Sequence, residues 1–406
     1  MCIRDSHGSE PFQYYVDMWG GLPGVIKDVR AVTPTTVQFV LARPDGPFLH
    51  NLAMPSFGIG SPAAIKAGAS HFDEQPVASG PYMLREWVKD EHITLVASPA
   101  YDGPKPAYAT VIVRDVPDQS TGMLSLQNGD IDVLTDPRPD DAKALAAQPG
   151  IAVYEQPSNN TAYLAMNVTR PPFDKVDVRR AVAYALDVRA IVRALYGSGS
   201  VVAANWTPPG MLGQNDALSP YPHDPAKARA LLARAGYAHG FAVELDYPTT
   251  PRPYLPEPQR VAEAMQAQLR AAGITLTLAP LEFGVFLTKV RNGDHAMCLI
   301  GWSGDNGDPD NFFYPLLDQD SAQKGSAQNY SFWRDPAFHR LMLEGQQAVD
   351  PARRATIYKT ANAMVHDQVP AISFVHTTVP LAAKASIRGI VPNPDTHLAF
   401  ELMRPQ

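Results

Sequence analysis

Hydrophobic and polar positions change their rhythm partway along the chain. In the first third they alternate with a period of two. Thr36-Val37-Gln38-Phe39-Val40-Leu41 reads as a half-buried strand, as do His92 to Val96, Ala109 to Val113 and the short Ile131 to Leu134. Gly80-Pro81 marks a turn before Tyr82. From residue 160 onward strands and helices alternate instead. Tyr163 to Asn167 and Phe241 to Tyr247 read as strands, and Val178 to Leu186 reads as a helix. Gln259 to Ala272 is the clearest helix, with Val261, Met265, Leu269 and Ala272 on one stripe and Gly273 as its cap. Ile274 to Leu278 is the next strand. A helix around Val285 to Val290 then leads into Ala296 to Ile300, an apolar run fit for a buried parallel strand. Ala371 to Val375 is another apolar strand, and the closing residues are short and extended.

Three Asp-Pro pairs punctuate this half. Asp224-Pro225, Asp335-Pro336 and Asp350-Pro351 each set a capping carboxylate before a proline suited to the first helical position, and the first helix should end near Gly236. Alternation of this kind predicts an α/β fold with helices packed on a mixed or parallel sheet. The expected organisation is a non-native or leader segment over 1–8, a partial, β-rich first lobe over 9–158, an α/β second lobe over 159–375, and a return to the first lobe over 376–406. Met1 to Gly8 is polar, lacks the apolar core of a signal peptide, and is set apart from the fold.

Composition narrows the function. At 406 residues the chain is long for one core, and 45% hydrophobic residues are enough to bury a large one. Thirty-nine prolines, scattered rather than repeated, suit extended crossings and helix starts and not collagen. A net charge of −7 argues against nucleic acid and against a polybasic membrane role. Two cysteines, Cys2 and Cys298, are too few for a zinc site or a disulfide framework. No apolar run is long enough to span a bilayer.

Catalytic motifs are missing: there is no G-x-S-x-G, H-E-x-x-H or C-x-x-C. Gly58-Ile59-Gly60 resembles the start of a dinucleotide loop, but Pro62 is expected to interrupt the helix such a loop needs. The eleven histidines lack metal-ligand spacing. Two segments stand out. Gly301 to Phe313 (GWSGDNGDPDNFF) directly follows the buried strand, at the edge where open α/β sheets place ligands. Its three aspartates could hold a cation, although EF-hand offsets are not met. They could equally cap a loop by Asx turns. The second segment, Pro251-Arg252-Pro253-Tyr254-Leu255-Pro256, lies at the end of another strand. Its prolines stiffen an arginine whose fork matches a carboxylate. A cationic and an anionic anchor on neighbouring strand ends suit a zwitterion.

These segments carry a family resemblance. GWSGDNGDPDNFF, Arg252-Pro253-Tyr254, Asn329-Tyr330-Ser331 with Trp333, Pro172-Phe173-Asp174 with Val178-Arg179-Arg180-Ala181, Tyr196 to Gly199, Pro208-Pro209 with Met211, and His366-Asp367-Gln368 with Pro370-Ala371 resemble the extracytoplasmic solute-binding proteins of peptide ABC transporters, family 5. The likeness runs from Gly20 to the end. It implies a periplasmic-binding-protein fold, class II type (cluster C), whose two lobes are joined by a two-crossing hinge and close on the ligand, with the first lobe incomplete here. It also implies a monomeric, non-enzymatic component without cofactor, periplasmic or lipid-anchored, that delivers dipeptides or short peptides to permease subunits.

By the same resemblance Asp305 takes the peptide's α-ammonium and Arg252 its carboxylate. Trp302, Tyr254, Phe283 and Gly301 line the pocket. Phe283 stands where the dipeptide binders resembled have tryptophan, and the cysteine pair that often staples the following loop is absent from Leu316 to Trp333. The front of the first lobe and the export signal are expected to be missing, with Tyr14 a remnant contact. Glutathione, longer peptides or haem are the alternatives within the binding class. Nickel is disfavoured because neither anchor loop has a histidine. A peptide hydrolase is the alternative of another class, and no nucleophile–base pair supports it.

Overall fold

A computed structural model describes residues 24–68, 74–116 and 118–406. Met1 to Gly8, Tyr14 and the beginning of the resemblance lie outside the described residues. The chain divides into two compact units. Among the described residues, 24–52 and 158–377 form one, and 53–157 with 378–406 form the other. The chain passes between them at Leu52–Ala53, at Pro157–Ser158 and at Thr377–Thr378.

The first of these units is built on a six-stranded sheet. Its elements are β1 (Asn160–Met166), α1 (Val176–Ala185), α2 (Val188–Leu195), β2 (Val201–Val202), α3 (Pro225–Arg234), β3 (Phe241–Pro248), α4 (Pro258–Ala271), β4 (Ile274–Leu281), α5 (Phe283–Arg291), β5 (Met297–Ser303), α6 (Asp310–Leu317), α7 (Pro336–Gln347), α8 (Pro351–Gln368) and β6 (Ala371–His376). The strand order is β4-β3-β5-β1-β6-β2. β3 pairs parallel with β4 and with β5, while β1 runs antiparallel to β5 and β6. β1 is central, and all seven of its residues are buried, which is why it reads as a continuous run rather than an alternation.

Local chemistry starts and stops the helices as expected. The side chains of Asp224, Asp335 and Asp350 accept hydrogen bonds from the Lys227, Phe338 and Arg353 amides, with proline opening each helix. The α4 stripe of Val261, Met265 and Leu269 is fully buried in the core. Gly273 follows with φ of 91°, a left-handed conformation that favours glycine. Cys298 is a free thiol inside the same core.

Two expectations need correcting. Residues 24–52, expected in the first lobe, belong with the six-stranded unit. The Gly46 amide bonds to the Gln346 carbonyl at the end of α7, and the Asn306 side-chain amide bonds to Asn51 at 2.6 Å. Pro62 does not interrupt a helix but opens one, Pro62–Gly68. The dinucleotide reading fails for another reason: a 3₁₀ turn at Pro55–Phe57, not a strand, precedes the glycines.

The other unit holds the antiparallel strands Val133–Thr135, Thr378–Lys384 and Ile151–Pro157, in that spatial order. Helices Gln119–Asn128 and Pro139–Ala146 accompany them around Leu126, Leu134, Leu145 and Ala382. A separate antiparallel sheet joins Tyr82–Val88, His92–Ala97 and Thr110–Arg114. Among the described residues no helix is long and apolar enough to cross a membrane.

Candidate functional site

The parallel pairing of β4, β3 and β5 brings three carboxyl ends to one edge of the sheet. Phe283 follows β4, the Arg252 segment follows β3, and Trp302 with Asp305 closes or follows β5. Topology therefore gathers residues spread over more than fifty positions at the kind of edge where α/β sheets bind ligands.

Arg252 is held by its backbone. Its N–H bonds to the Leu255 carbonyl at 3.0 Å and its carbonyl accepts from Leu255 at 2.8 Å, closing a tight turn between prolines. The guanidinium carbon lies 3.7 Å from the centre of the Phe283 ring. Among the described residues, Arg252 Nε is buried without a hydrogen-bond partner. The turn is also tied to the crossing at residue 377. Thr377 Oγ1 donates to the Pro253 carbonyl at 3.0 Å, Asn160 Nδ2 donates to Thr377 Oγ1 at 2.6 Å, and the Thr377 amide donates to Asn160 Oδ1 at 2.9 Å.

Gly301 needs to be glycine for reasons of space. A β-carbon there would collide with the Tyr254 ring and with the Thr161 carbonyl, and that carbonyl belongs to the sheet and cannot yield. Tyr254 is buried against this strand, and burial raises the pKa of its hydroxyl well above the ordinary tyrosine value.

The Asp305 loop is shaped by one carboxamide. Asn311 Oδ1 accepts from Trp302 Nε1 at 3.0 Å and from the Asp305 amide at 3.1 Å, while the Gly304 amide donates to the Asn159 carbonyl at 2.6 Å. The Asp305 residue is exposed. The other two aspartates turn inward. Asp308 forms a bidentate pair with Arg354, at 2.7 and 2.8 Å, and both side chains are almost completely buried. Asp310 accepts from Tyr358 at 3.3 Å and from Gln346 at 3.2 Å. Burial and then the charge of Asp308 push its carboxyl up to about 8. Asp45, packed beside them, is pushed up to about 6, mainly by burial.

The Asx-turn reading of this loop is present: Asn306 Oδ1 caps the Asp308 amide and Asp308 Oδ1 caps the Asp310 amide, each at 2.9 Å. The single cation cage is not, because Asp308 is already neutralised by Arg354. The second half of the segment is α6, read from sequence as loop.

The following loop carries a polar staple in place of the cysteine pair that the resemblance implies there. Asn329 Nδ2 donates to the carbonyls of Leu317, Asp318 and Trp333, and Asp318 meets His339 Nδ1 at 3.0 Å. Asp318, Asp320 and His339 form a cluster of metal-ligand types, with Asp320 also accepting from Tyr314.

Sequence reasoning missed Asn160, Thr377, Asn311 and Arg354 as supports of the anchors. Asn311 lay inside the motif and was legible as a candidate. The others act across long stretches of chain that no spacing rule connects.

Residues 3–324 match the family described as bacterial extracellular solute-binding proteins, family 5 Middle. The dipeptide-binding protein of Escherichia coli (strain K12) is 37% identical over 388 residues, covering 94% of this chain and 72% of that protein. A solved periplasmic binding protein from Helicobacter pylori, associated with an ABC transporter and bound to the peptide STSA, superposes with a TM-score of 0.87 at 29% identity, covering 99% of this chain and 78% of that one. The dipeptide-binding protein from Pseudoalteromonas sp. SM9913, solved with Met-Leu, gives 0.84 at 27% identity over 97% of this chain and 78% of that one.

Proposed function

The chain belongs to the bacterial extracellular solute-binding proteins of family 5, and from that premise we propose that it captures dipeptides or short peptides outside the cytoplasmic membrane and hands them to the permease subunits of an ABC transporter. Asp305 receives the α-ammonium and Arg252 the terminal carboxylate. Trp302, Tyr254 and Gly301 shape the space for the peptide's side chains. The protein works as a monomer and turns nothing over.

One observation carries this reading. Arg252 presents a guanidinium with a buried, unpartnered Nε at the end of β3, and the neighbouring strand β5 runs into an exposed Asp305 carboxylate. A zwitterion fits a cation and an anion set at the ends of neighbouring strands. Relatives and structural neighbours named for dipeptides and solved with peptides support the choice of ligand.

Calorimetry with Ala-Phe on the full chain tests it. Asp305→Asn and Arg252→Ala should each cost about 2–5 kcal/mol of binding, since each strands a ligand charge. N-acetyl-Ala-Phe should bind the wild type far more weakly and should lose little further in the Asp305 variant. Equal penalties for acetylation in both proteins would remove Asp305 from the role. Binding of haem in place of the peptide would reassign the ligand, and release of free amino acids would make the protein a hydrolase.

A further inference from the structure

Resemblance assigns Phe283 to the wall of a side-chain pocket, yet the face of its ring is occupied. The guanidinium of Arg252 lies over it at 3.7 Å. We propose that Phe283 is a positioning residue, which orients the Arg252 guanidinium edge-on toward the ligand's terminal carboxylate and takes no direct part in choosing the ligand's side chains. The inference rests on Arg252 being the carboxylate anchor.

Buried or half-buried arginines are usually aimed by a paired carboxylate. Among the described residues no carboxylate lies within ion-pair distance of Arg252, and its Nε has no protein partner. A long side chain without such a pair keeps its rotamer freedom, and binding would have to remove it. The Phe283 ring supplies the missing restraint. Its negative face attracts the cation, and stacking leaves the N–H groups pointing outward around the guanidinium's own edge, where a carboxylate docks in the plane.

The ring is itself held. Phe283 is the first residue of α5, and Glu282 caps that helix by accepting from the Gly284 and Val285 amides at 2.8 and 3.1 Å. Phe286, fully buried one turn later, stacks with the Phe283 ring at 6.4 Å and 17°. Lys289 from the same helix reaches Glu244 and Asp246 on β3, each at 2.7 Å. The helix that carries the ring is therefore pinned to the strand that ends in the arginine. Ring and cation are mounted on one frame, with the Pro253 carbonyl tied to Thr377 on the far side of the turn.

Ala-Ala and Ala-Ala amide separate positioning from lining, because both have small side chains and they differ in the carboxylate. Phe283→Leu should weaken Ala-Ala by roughly 5- to 30-fold, the range expected for a partly desolvated cation–π contact of about 1–2 kcal/mol. It should weaken Ala-Phe by the same factor and change the amide by less than about twofold. Phe283→Trp, which keeps an aromatic face, should restore the Ala-Ala affinity.

The ligand-free protein gives a second readout. The Arg252 Nε–H resonance, assigned with Arg252→Lys, should be shifted upfield by the ring, lose that shift in Phe283→Leu and keep it in Phe283→Trp. Equal losses for acid and amide, a loss that grows with ligand side-chain size, or an Nε–H signal unmoved by Phe283→Leu would each overturn the inference. Unchanged Ala-Ala binding by Arg252→Ala is a different result, and it would remove the anchor rather than its support.

Discussion

Replacing Arg354 with methionine tests the framework beneath the Asp305 loop. Arg354 donates two bonds to Asp308 at 2.7 and 2.8 Å, one to the Gly345 carbonyl at 3.0 Å and one to Tyr358 at 3.3 Å, with its side chain 6% exposed. Removing one member of a buried pair leaves the other as an uncompensated charge, which costs about 3–5 kcal/mol. Two further acids face the gap, Asp310 raised to about 8 and Asp45 raised to about 6, and Arg354 lowers both. Without it they rise further. A carboxyl whose folded pKa is raised contributes stability at low pH and loses it as pH climbs toward the folded value. The variant should therefore lose more at pH 8 than at about pH 5.5.

Urea unfolding followed by far-ultraviolet circular dichroism reads both effects. The double variant Arg354→Met with Asp308→Asn should recover much of the loss, because the carboxamide matches the carboxylate in shape, carries no stranded charge and keeps the Oδ1 that caps the Asp310 amide. A loss below about 1 kcal/mol, a loss independent of pH, or a double variant no better than the single one would refute the reasoning.

Other outcomes follow from the same geometry. Asp310→Asn removes a carboxyl that is protonated in the fold and ionised when unfolded between pH 3.8 and about 8, so its stability relative to wild type should improve as pH rises from 5 to 8; parallel unfolding curves would contradict this. Gly301→Ala drives a methyl group into the Tyr254 ring and a sheet carbonyl, and should cost about 1–3 kcal/mol of stability along with peptide affinity, measured by thermal unfolding and calorimetry. Asn311→Ala removes the acceptor shared by Trp302 and the Asp305 amide, and should cost about 1–3 kcal/mol while shifting tryptophan emission to the red.

What could be read from the sequence was whatever repeats over a few residues. The strand Thr36–Leu41, the α4 stripe and the three Asp-Pro helix starts all stand where local pattern puts them, because period and capping are properties of neighbouring residues. Helix Gln119–Asn128 escaped notice because Gly122 and a run of hydroxyl and amide side chains blunt its apolar face. Asp308 and Arg354 pair across 46 positions, and Asn160 and Thr377 across 217; such contacts follow from topology and leave no trace in spacing. The Asp305 loop shows both sides of this. Its composition flagged a site, but which aspartate faces outward depends on an arginine in α8 that supplies the charge for Asp308. Residues 24–52 were misplaced for the same reason, since their ties to α7 and to Asn306 include a backbone bond, the His50 ring and a pair of side-chain amides, all distant in sequence.

A crystal structure of the full chain with bound Ala-Phe tests the central proposal most directly. A dipeptide spans roughly 6–7 Å from nitrogen to terminal carboxylate, so with one hydrogen bond at each end the Asp305 carboxylate and the Arg252 guanidinium should stand roughly 10–13 Å apart. The α-ammonium should lie on Asp305, and the carboxylate should meet the guanidinium edge above the Phe283 ring. A peptide bound in the reverse direction, or away from the carboxyl ends of β3 and β5, would contradict the proposal, as would Asp305 and Arg252 paired directly with each other.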